Sequence, residues 1–398
     1  MLLKFEAVSR PILLDQGMKL LAPLGRVFAN WPWREVPSEG QREPQIAVTE
    51  EDGVHVLRAP WLADPLRHAD PVALADSLAT QLVRAWARDR ALAIWIDAAA
   101  VSFGDELVVL LGGQRGARGL IVAALAASGH RVFADGLLPV AAADRRGIGM
   151  GIAPRIDLPL PDGLPWAQRA ALLMQKDTGN GSFFHLNPGR ERIACFGETA
   201  PIRAFVLLDQ STSGPTALRA ARSGTILKRM LLHGDCEGIS ATQMLDRLHR
   251  LVAGAPCYRL AGGDADAARV TLRARFAMWR SGDVAREAME PAGDPPDRRR
   301  SSGPRNPTGP CYRPSDGLSE RQVEGDLFLV GGGGETIYHL NGLGAGLWRL
   351  LGEEHGLDDA VSVLHEAFPY VDHAVVEQDA RALVADLTAR GLLVERAG

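Results

Sequence analysis

Lysine is scarce in this chain. Only Lys4, Lys19, Lys176 and Lys228 occur among 398 residues, so a site that needs a compact ammonium has few candidates. The four cysteines, Cys195, Cys236, Cys257 and Cys311, form no C-x-x-C pair. That removes the spacing signal for a zinc knuckle or a dithiol redox site, and nothing requires an oxidising compartment. His130, His185, His233 and His249 lack compact ligand spacing, so no metal site is expected. A surplus of positive charge is missing too. The formal net charge of −4 gives no general attraction to nucleic acid or an anionic membrane. The apolar segment at 120–128 is too short to span a bilayer. The first fourteen residues mix Lys4, Glu6 and Arg10 with aliphatic residues and lack the apolar core of a signal peptide. A soluble cytoplasmic protein is the expectation, with neither nucleic acid nor membrane as partner.

What remains is ample for folding. Hydrophobic residues make up 46% of the chain, enough to fill two cores, or one large core and one small one. Residues 71–86 place Val72, Leu74, Leu78, Leu82 and Val83 at helical spacing, with Asp76 and Arg84 more peripheral. Short apolar runs at 54–57, 91–96 and 107–111 predict strands, the last two separated by the turn signal Gly104-Asp105. A helix is expected over 119–128, ended by Gly129, and a strand over 131–134. Further strands are expected at 192–196 and 202–208, a helical segment between 216 and 229, and a short amphipathic helix over 243–252. There is no internal repeat.

Between the strand at 107–111 and the following helix lies Gly112-Gly113-Gln114-Arg115-Gly116-Ala117-Arg118-Gly119-Leu120. Gly113 and Gly116 fit a phosphate-loop register, in which glycines turn backbone N–H groups toward phosphates, a Lys reaches the outer phosphates and a hydroxyl holds magnesium. Gly119 and Leu120 occupy the Lys and hydroxyl positions. Arg115 or Arg118 would supply charge, but a planar guanidinium does not replace an ammonium geometrically. A vestigial loop, an altered anion site and an ordinary strand-to-helix turn all remain open. Two further residues stand out. Asp135, near the end of the next strand, reads as a turn cap on its own, and Lys176 opens the polar stretch Lys176-Asp177-Thr178-Gly179-Asn180-Gly181-Ser182, which also reads as a hairpin loop.

Composition changes sharply after residue 287. Pro291, Pro295, Pro296, the triplet Arg298-Arg299-Arg300, Pro304, Pro307, Pro310 and Pro314 describe an exposed linker over 288–319. Beyond it, Asp326-Leu327-Phe328-Leu329-Val330 and the run ending Ile337-Tyr338-His339-Leu340 predict a β-hairpin, followed by helices over 343–351, 357–368 and 375–389. Along the second strand, Tyr338 and Leu340 share one face and His339 the other, so one set enters the core and the other lines a groove. Leu347 and Trp348 read as core or as peptide contacts, and Asn341 as a turn or capping residue.

These residues carry two resemblances. Asp97-Ala98-Ala99-Ala100-Val101, the loop through Ile121, Phe133-Ala134-Asp135-Gly136 and Pro201-Ile202-Arg203-Ala204-Phe205-Val206-Leu207-Leu208 resemble the HPr kinase/phosphorylase fold over roughly residues 1–287. The likeness implies an α/β phosphate-loop domain in which Asp135 survives from an acidic pair as a magnesium ligand or general base, and the departures at Gly119, Leu120, Asp97 and Gly136 imply that it is degenerate. The stretch Tyr338-His339-Leu340-Asn341-Gly342-Leu343-Gly344-Ala345-Gly346-Leu347-Trp348, with Phe368 and the ending Gly391-Leu392-Leu393, resembles PqqD and related recognition elements. That likeness implies a small α+β domain of winged-helix type over 320–398, which binds a precursor's leader peptide through Ile337, Tyr338, His339, Leu340 and Leu347.

Three functions follow from the pair. One is a leader-binding component of peptide maturation whose pseudokinase-like first domain presents the peptide. Another is an ATP- and magnesium-dependent peptide kinase with a remodelled site built on Asp135 and Lys176. The third is an adaptor that recruits a separate modifying enzyme. Only the kinase reading demands a cofactor.

Overall fold

The computed structural model describes residues 1–15, 18–38, 42–90, 93–141, 144–209, 214–235, 239–277, 307–331, 336–353 and 355–396. Two compact units emerge from the contacts. The first comprises Met1–Ala221, Arg229–Gly238 and Arg250–Glu287. The second comprises Arg222–Lys228, Ile239–His249 and Ala288–Gly398.

The first unit begins with β1 (Leu2–Phe5), β2 (Ile12–Leu14), α1 (Met18–Val27), β3 (Trp33–Val36), β4 (Ile46–Glu51), β5 (Val54–Arg58) and β6 (Leu66–His68), whose strands form one sheet in the order β3-β1-β2-β4-β5-β6. Then comes α2 (Pro71–Arg88). Its start combines Asp70, whose carboxylate accepts from the Ala73 N–H, with Pro71 in the first turn, where a missing N–H costs nothing. The apolar face of α2 packs with Leu3, Phe5, Ile12, Trp31 and Ile46 into one core.

A second, larger sheet follows from β7 (Ala93–Phe103), β8 (Glu106–Gly112), β9 (Val132–Ala141) and β10 (Arg146–Ile148), with α3 (Arg115–Ala127) between β8 and β9. A small three-stranded sheet is made of β11 (Arg155–Asp157), β12 (Lys176–Gly179) and β13 (Phe183–Leu186), with α4 (Trp166–Met174) after β11. The large sheet is completed by β14 (Thr199–Asp209), β15 (Ala217–Ala220) and β17 (Cys257–Ala261), with the two-residue β16 (Gly234–Asp235) pairing with β7. Helices α5 (Ser223–His233), α6 (Ala241–Val252) and α7 (Ala265–Phe276) lie around these strands in the chain. The order is β10-β9-β7-β8-β14-β17-β15. Strands β8, β14 and β17 run parallel and the other pairings are antiparallel. Continuous apolar runs suit the central strands, and Val108, Leu110, Ala204 and Val206 pack on Ile121, Val122 and Leu125 of α3 and Leu272 of α7.

Two local expectations fail. Residues 192–196 are not a strand: Arg190–Arg192 is a single 3-10 turn, and Ile193 makes only an isolated bridge to Val132. Within 216–229, Ala217–Ala220 is an edge strand on β17 rather than helix, because sheet pairing overrides the local helix preference of Ala, Leu and Arg.

In the second unit, β18 (Tyr312–Pro314) pairs with β22 (Leu393–Glu395), and β19 (Ser319–Val323), β20 (Asp326–Val330) and β21 (Ile337–Leu340) form an antiparallel sheet in that order. Helices α8 (Gly342–Gly352), α9 (Leu357–Ala367) and α10 (His373–Ala389) complete an α+β domain. Of the segment read as a linker, 288–306 falls outside the described residues. Pro314 sits on an edge pairing, where a proline is tolerated. Asn341 caps α8, its side chain accepting from the Gly344 N–H at 3.0 Å. Replacing it with Ala should lower the domain's unfolding free energy by about 1 kcal/mol, read from urea denaturation, while Asn341→Asp should retain most of it.

Candidate functional site

The glycines of the loop turn the chain out of a strand and admit a second strand beside the helix. Gly112 and Gly113 adopt left-handed φ values of 74° and 69° and turn the chain out of β8, but α3 already begins at Arg115, so Gly116 and Gly119 are helical. Both face β11. A Cβ on Gly119 would lie 2.6 Å from the Arg155 carbonyl oxygen, and one on Gly116 would lie 3.4 Å from the Asp157 Cβ. They are packing glycines that let a strand approach a helix closely. The first turn of α3 is met by a protein carboxylate, since the Asp157 Oδ2 lies 3.8 Å from the same Gly116 Cβ position.

Of the loop cations, Arg118 turns inward and Arg115 stays exposed. Arg118, nearly buried, donates to Asp97 Oδ1 at 2.7 Å. Arg115 lines a cavity of about 40 Å³ together with Asp76, Asp135, Arg155 and His185. Arg155 is the hub. Its backbone N–H donates to Asp135 Oδ2 at 3.0 Å, its Nε to Asp157 Oδ1 at 2.9 Å and its Nη1 to Asp76 Oδ2 at 2.6 Å. Its guanidinium also lies 3.9 Å from the centroid of the Phe183 ring. His185 places Nδ1 3.1 Å from the Ala153 carbonyl and Nε2 3.4 Å from Asp76 Oδ1.

Two carboxyls in this cluster are driven apart. Burial pushes Asp135 upward, against the opposing pull of Arg118, the Arg155 N–H, Arg115 and His185, and its Oδ1 is buried without a hydrogen-bond partner among the described residues. Burial alone would raise Asp76 as well, but His185, Arg155 and Arg115 hold it at about 2. The arrangement favours the charged form of Asp76 and disfavours that of Asp135, the two carboxyls facing one small polar cavity. Lys176 is elsewhere. It is exposed on β12 with its Nζ 5.7 Å from the Phe184 ring centroid, and it does not line the cavity. Sequence reasoning thus found Asp135, Arg115 and Arg118, but took Asp76 as peripheral and missed Arg155 and Asp157 altogether.

A larger crevice of about 330 Å³ opens at the carboxyl ends of β14 and β17, where α/β sheets commonly hold ligands. Among the described residues its lining carries only two charged groups, Asp209 and Asp264, amid Leu120, Ile121, Leu208 and Leu260. Asp264 caps α7, accepting from the Ala267 N–H at 2.8 Å. Asp209 pairs with Arg259 at 3.6 Å. No group of His, Cys, Asp and Glu among the described residues could hold a metal ion.

In the second unit the alternation along β21 is resolved. Leu340, 5% exposed, and Leu347, fully buried, belong to the core with Leu327, Leu329, Trp348 and Leu351. Of the residues expected at a peptide groove, these two thus lie in the core beneath the strand. Trp348 is also core, its Nε1 donating to Glu320 Oε1 at 3.0 Å. Tyr338 leans on the same core, and the Arg390 guanidinium stands 5.6 Å from its ring centroid. His339 faces the other way, beside Phe328 at 5.0 Å between ring centroids, with Nε2 3.6 Å from Asp326 Oδ2. Among the described residues, the outer edge of β21 pairs with no strand.

Residues 326–393, which span this hairpin and all three helices, match the family described as Coenzyme PQQ synthesis protein D (PqqD). The C-terminal domain is PqqD-like. The chain is also similar to a solved structure described as TbiB1 in complex with the TbiA(beta) leader peptide, at 24% identity over 22% of this chain and 99% of that one, with a TM-score of 0.20. No curated protein matches. The whole chain is thus a mixed α/β protein with a large N-terminal α/β part and a small C-terminal PqqD-like α+β domain.

Proposed function

We propose that the PqqD-like domain captures the leader of a ribosomally made precursor peptide as an added strand on β21, and that the N-terminal domain positions the peptide without phosphorylating it. The observation that carries this is the unpaired outer edge of β21 inside the family-matching segment. Such an edge offers a row of backbone donors and acceptors to an extended chain, and neighbouring side chains select among sequences. Ile337, Tyr338 and His339 provide that strand, while Leu340 and Leu347 shape it from beneath. The N-terminal domain over 1–287 is read as HPr-kinase-like with its phosphate chemistry lost, since Gly119 and Leu120 stand where Lys and a hydroxyl are needed, and the buried cation of α3, Arg118, is engaged by Asp97. Joining capture and presentation in one chain makes the second step intramolecular. The reading puts the protein in the cytoplasm, where precursors are made. No helix among the described residues is long and apolar enough to cross a membrane.

Hydrogen exchange on the full chain tests this with synthetic leaders from precursor genes that neighbour its own. The amides of β21 should slow at least tenfold on addition of a bound leader, and those of β19 should not change. A leader that binds while leaving β21 exchange untouched would refute strand addition.

A further inference from the structure

The face of the β19-β20-β21 sheet opposite α8, α9 and α10 carries charge supplied by residues more than a hundred positions earlier in the chain. Arg222–Lys228, the start of α5 and the residue before it, belongs to the same compact unit as the sheet. Ser223 donates from its N–H and hydroxyl to Glu324 at 2.5 and 2.7 Å, and Arg222 donates to Asp326 Oδ1 at 3.3 Å. Gly224 comes so close that a Cβ there would stand 2.6 Å from Asp326 Oδ2 and 3.2 Å from the Val323 carbonyl. That proximity fixes which side of α5 faces the sheet. Lys228 is four residues further on, so it lies on the same side of the helix one turn along.

Lys228 is exposed and makes no ion pair among the described residues. Its charge is felt at His339 on β21, where burial, Lys228 and Arg222 all disfavour the imidazolium and Asp326 favours it. Asp326 is almost fully buried and already engaged by Arg222 and His339, so it does not neutralise Lys228. The edge of β21 is therefore flanked on its His339 side by a free ammonium on a helix anchored to the sheet.

Building on the strand-capture reading above, we propose that Lys228 is a specificity residue of the peptide-receiving edge, selecting a leader with an acidic side chain at a position that faces the His339 side of the added strand. Alternation decides which peptide positions qualify. Only every second residue of an added strand points to that face, so the preference appears at alternate positions of the peptide and not throughout. Arg222, held by Asp326, adds to the local field without being free to move. A lysine on a flexible stem suits a carboxylate whose exact depth varies between leaders.

The test uses the full chain and fluorescein-labelled eight-residue peptides of alternating Val and Thr, with Glu, Gln or Lys placed at each Thr in turn, followed by anisotropy in low salt. The Glu peptides should bind about three- to fivefold more tightly than the Gln peptides, and the Lys peptides more weakly than both. The spread should shrink in 0.5 M salt. Lys228→Glu should reverse the order, and Lys228→Gln should abolish it, with the circular dichroism and melting temperature of both variants unchanged because Lys228 is exposed. Equal binding of Glu, Gln and Lys peptides, or the same order in Lys228→Glu, would overturn the charge preference and leave strand capture standing. No binding by any peptide, together with unaltered exchange at β21, would overturn both.

Discussion

Restoring the lysine of a phosphate loop, Gly119→Lys, is expected to destabilise the N-terminal domain strongly rather than to create a nucleotide site. A Cβ at this position meets the Arg155 carbonyl at 2.6 Å, and a backbone oxygen in a strand cannot swing aside as a side-chain tip can. Overpacking of this kind costs about 1–3 kcal/mol. The helical gain on replacing glycine, about 1 kcal/mol, offsets part of it. Gly119→Ala isolates that balance and should be destabilised by up to about 2 kcal/mol. Lysine adds a longer, charged side chain beside the Arg155 backbone and Ile156, so a loss of more than about 3 kcal/mol is expected. Urea denaturation of both variants checks this, with Gly163→Ala as a control because nothing lies within 4 Å of its Cβ position. A folded Gly119→Lys protein that binds Mg-ATP at micromolar concentration would show that β11 yields and that the loop is a disabled site waiting for its lysine.

Why the loop misleads is a matter of distance in space. Gly113, Gly116 and Gly119 present the same local pattern whether the partner is a phosphate or a strand, and the partner here, β11, comes some forty residues later. Elements whose cause is local were legible. The helix at 71–86 carries its own cap and periodicity, and β7, β8, β14, α6 and the three C-terminal helices follow from runs and spacings within each segment. The alternation of β21 was legible as well, but not its direction, because what covers the His339 side is the segment 222–228. The polar cluster was the least visible part. Asp76, Asp135, Arg155 and His185 come from four separate elements, and each looks unremarkable among its own neighbours.

Removing Arg155 should be among the most damaging single changes in the N-terminal domain. Arg155→Ala leaves Asp76 and Asp157 without their guanidinium, opens a void over Phe183 and, by loosening β11, frees the carbonyl that packs on Gly119. Stripping one member from a buried ionic cluster costs about 3–5 kcal/mol. The pH dependence separates the carboxyls. Asp76 is held at about 2 against an ordinary 3.8, so its contribution, about 2 kcal/mol, is present above pH 4 and is lost as pH falls toward 2. Asp135 works in the opposite sense. Its folded value is raised, so ionisation at neutral pH weighs against the fold, and that burden lifts as pH falls through the raised value. Asp76→Asn should therefore lose stability at pH 7 and flatten the acid limb below pH 4, whereas Asp135→Asn should gain stability at pH 7 and converge on the unmodified chain in acid. Urea midpoints measured at each unit from pH 3 to pH 8 check both. If the two variants shift stability in the same direction at pH 7, the division of labour between the two carboxyls is wrong.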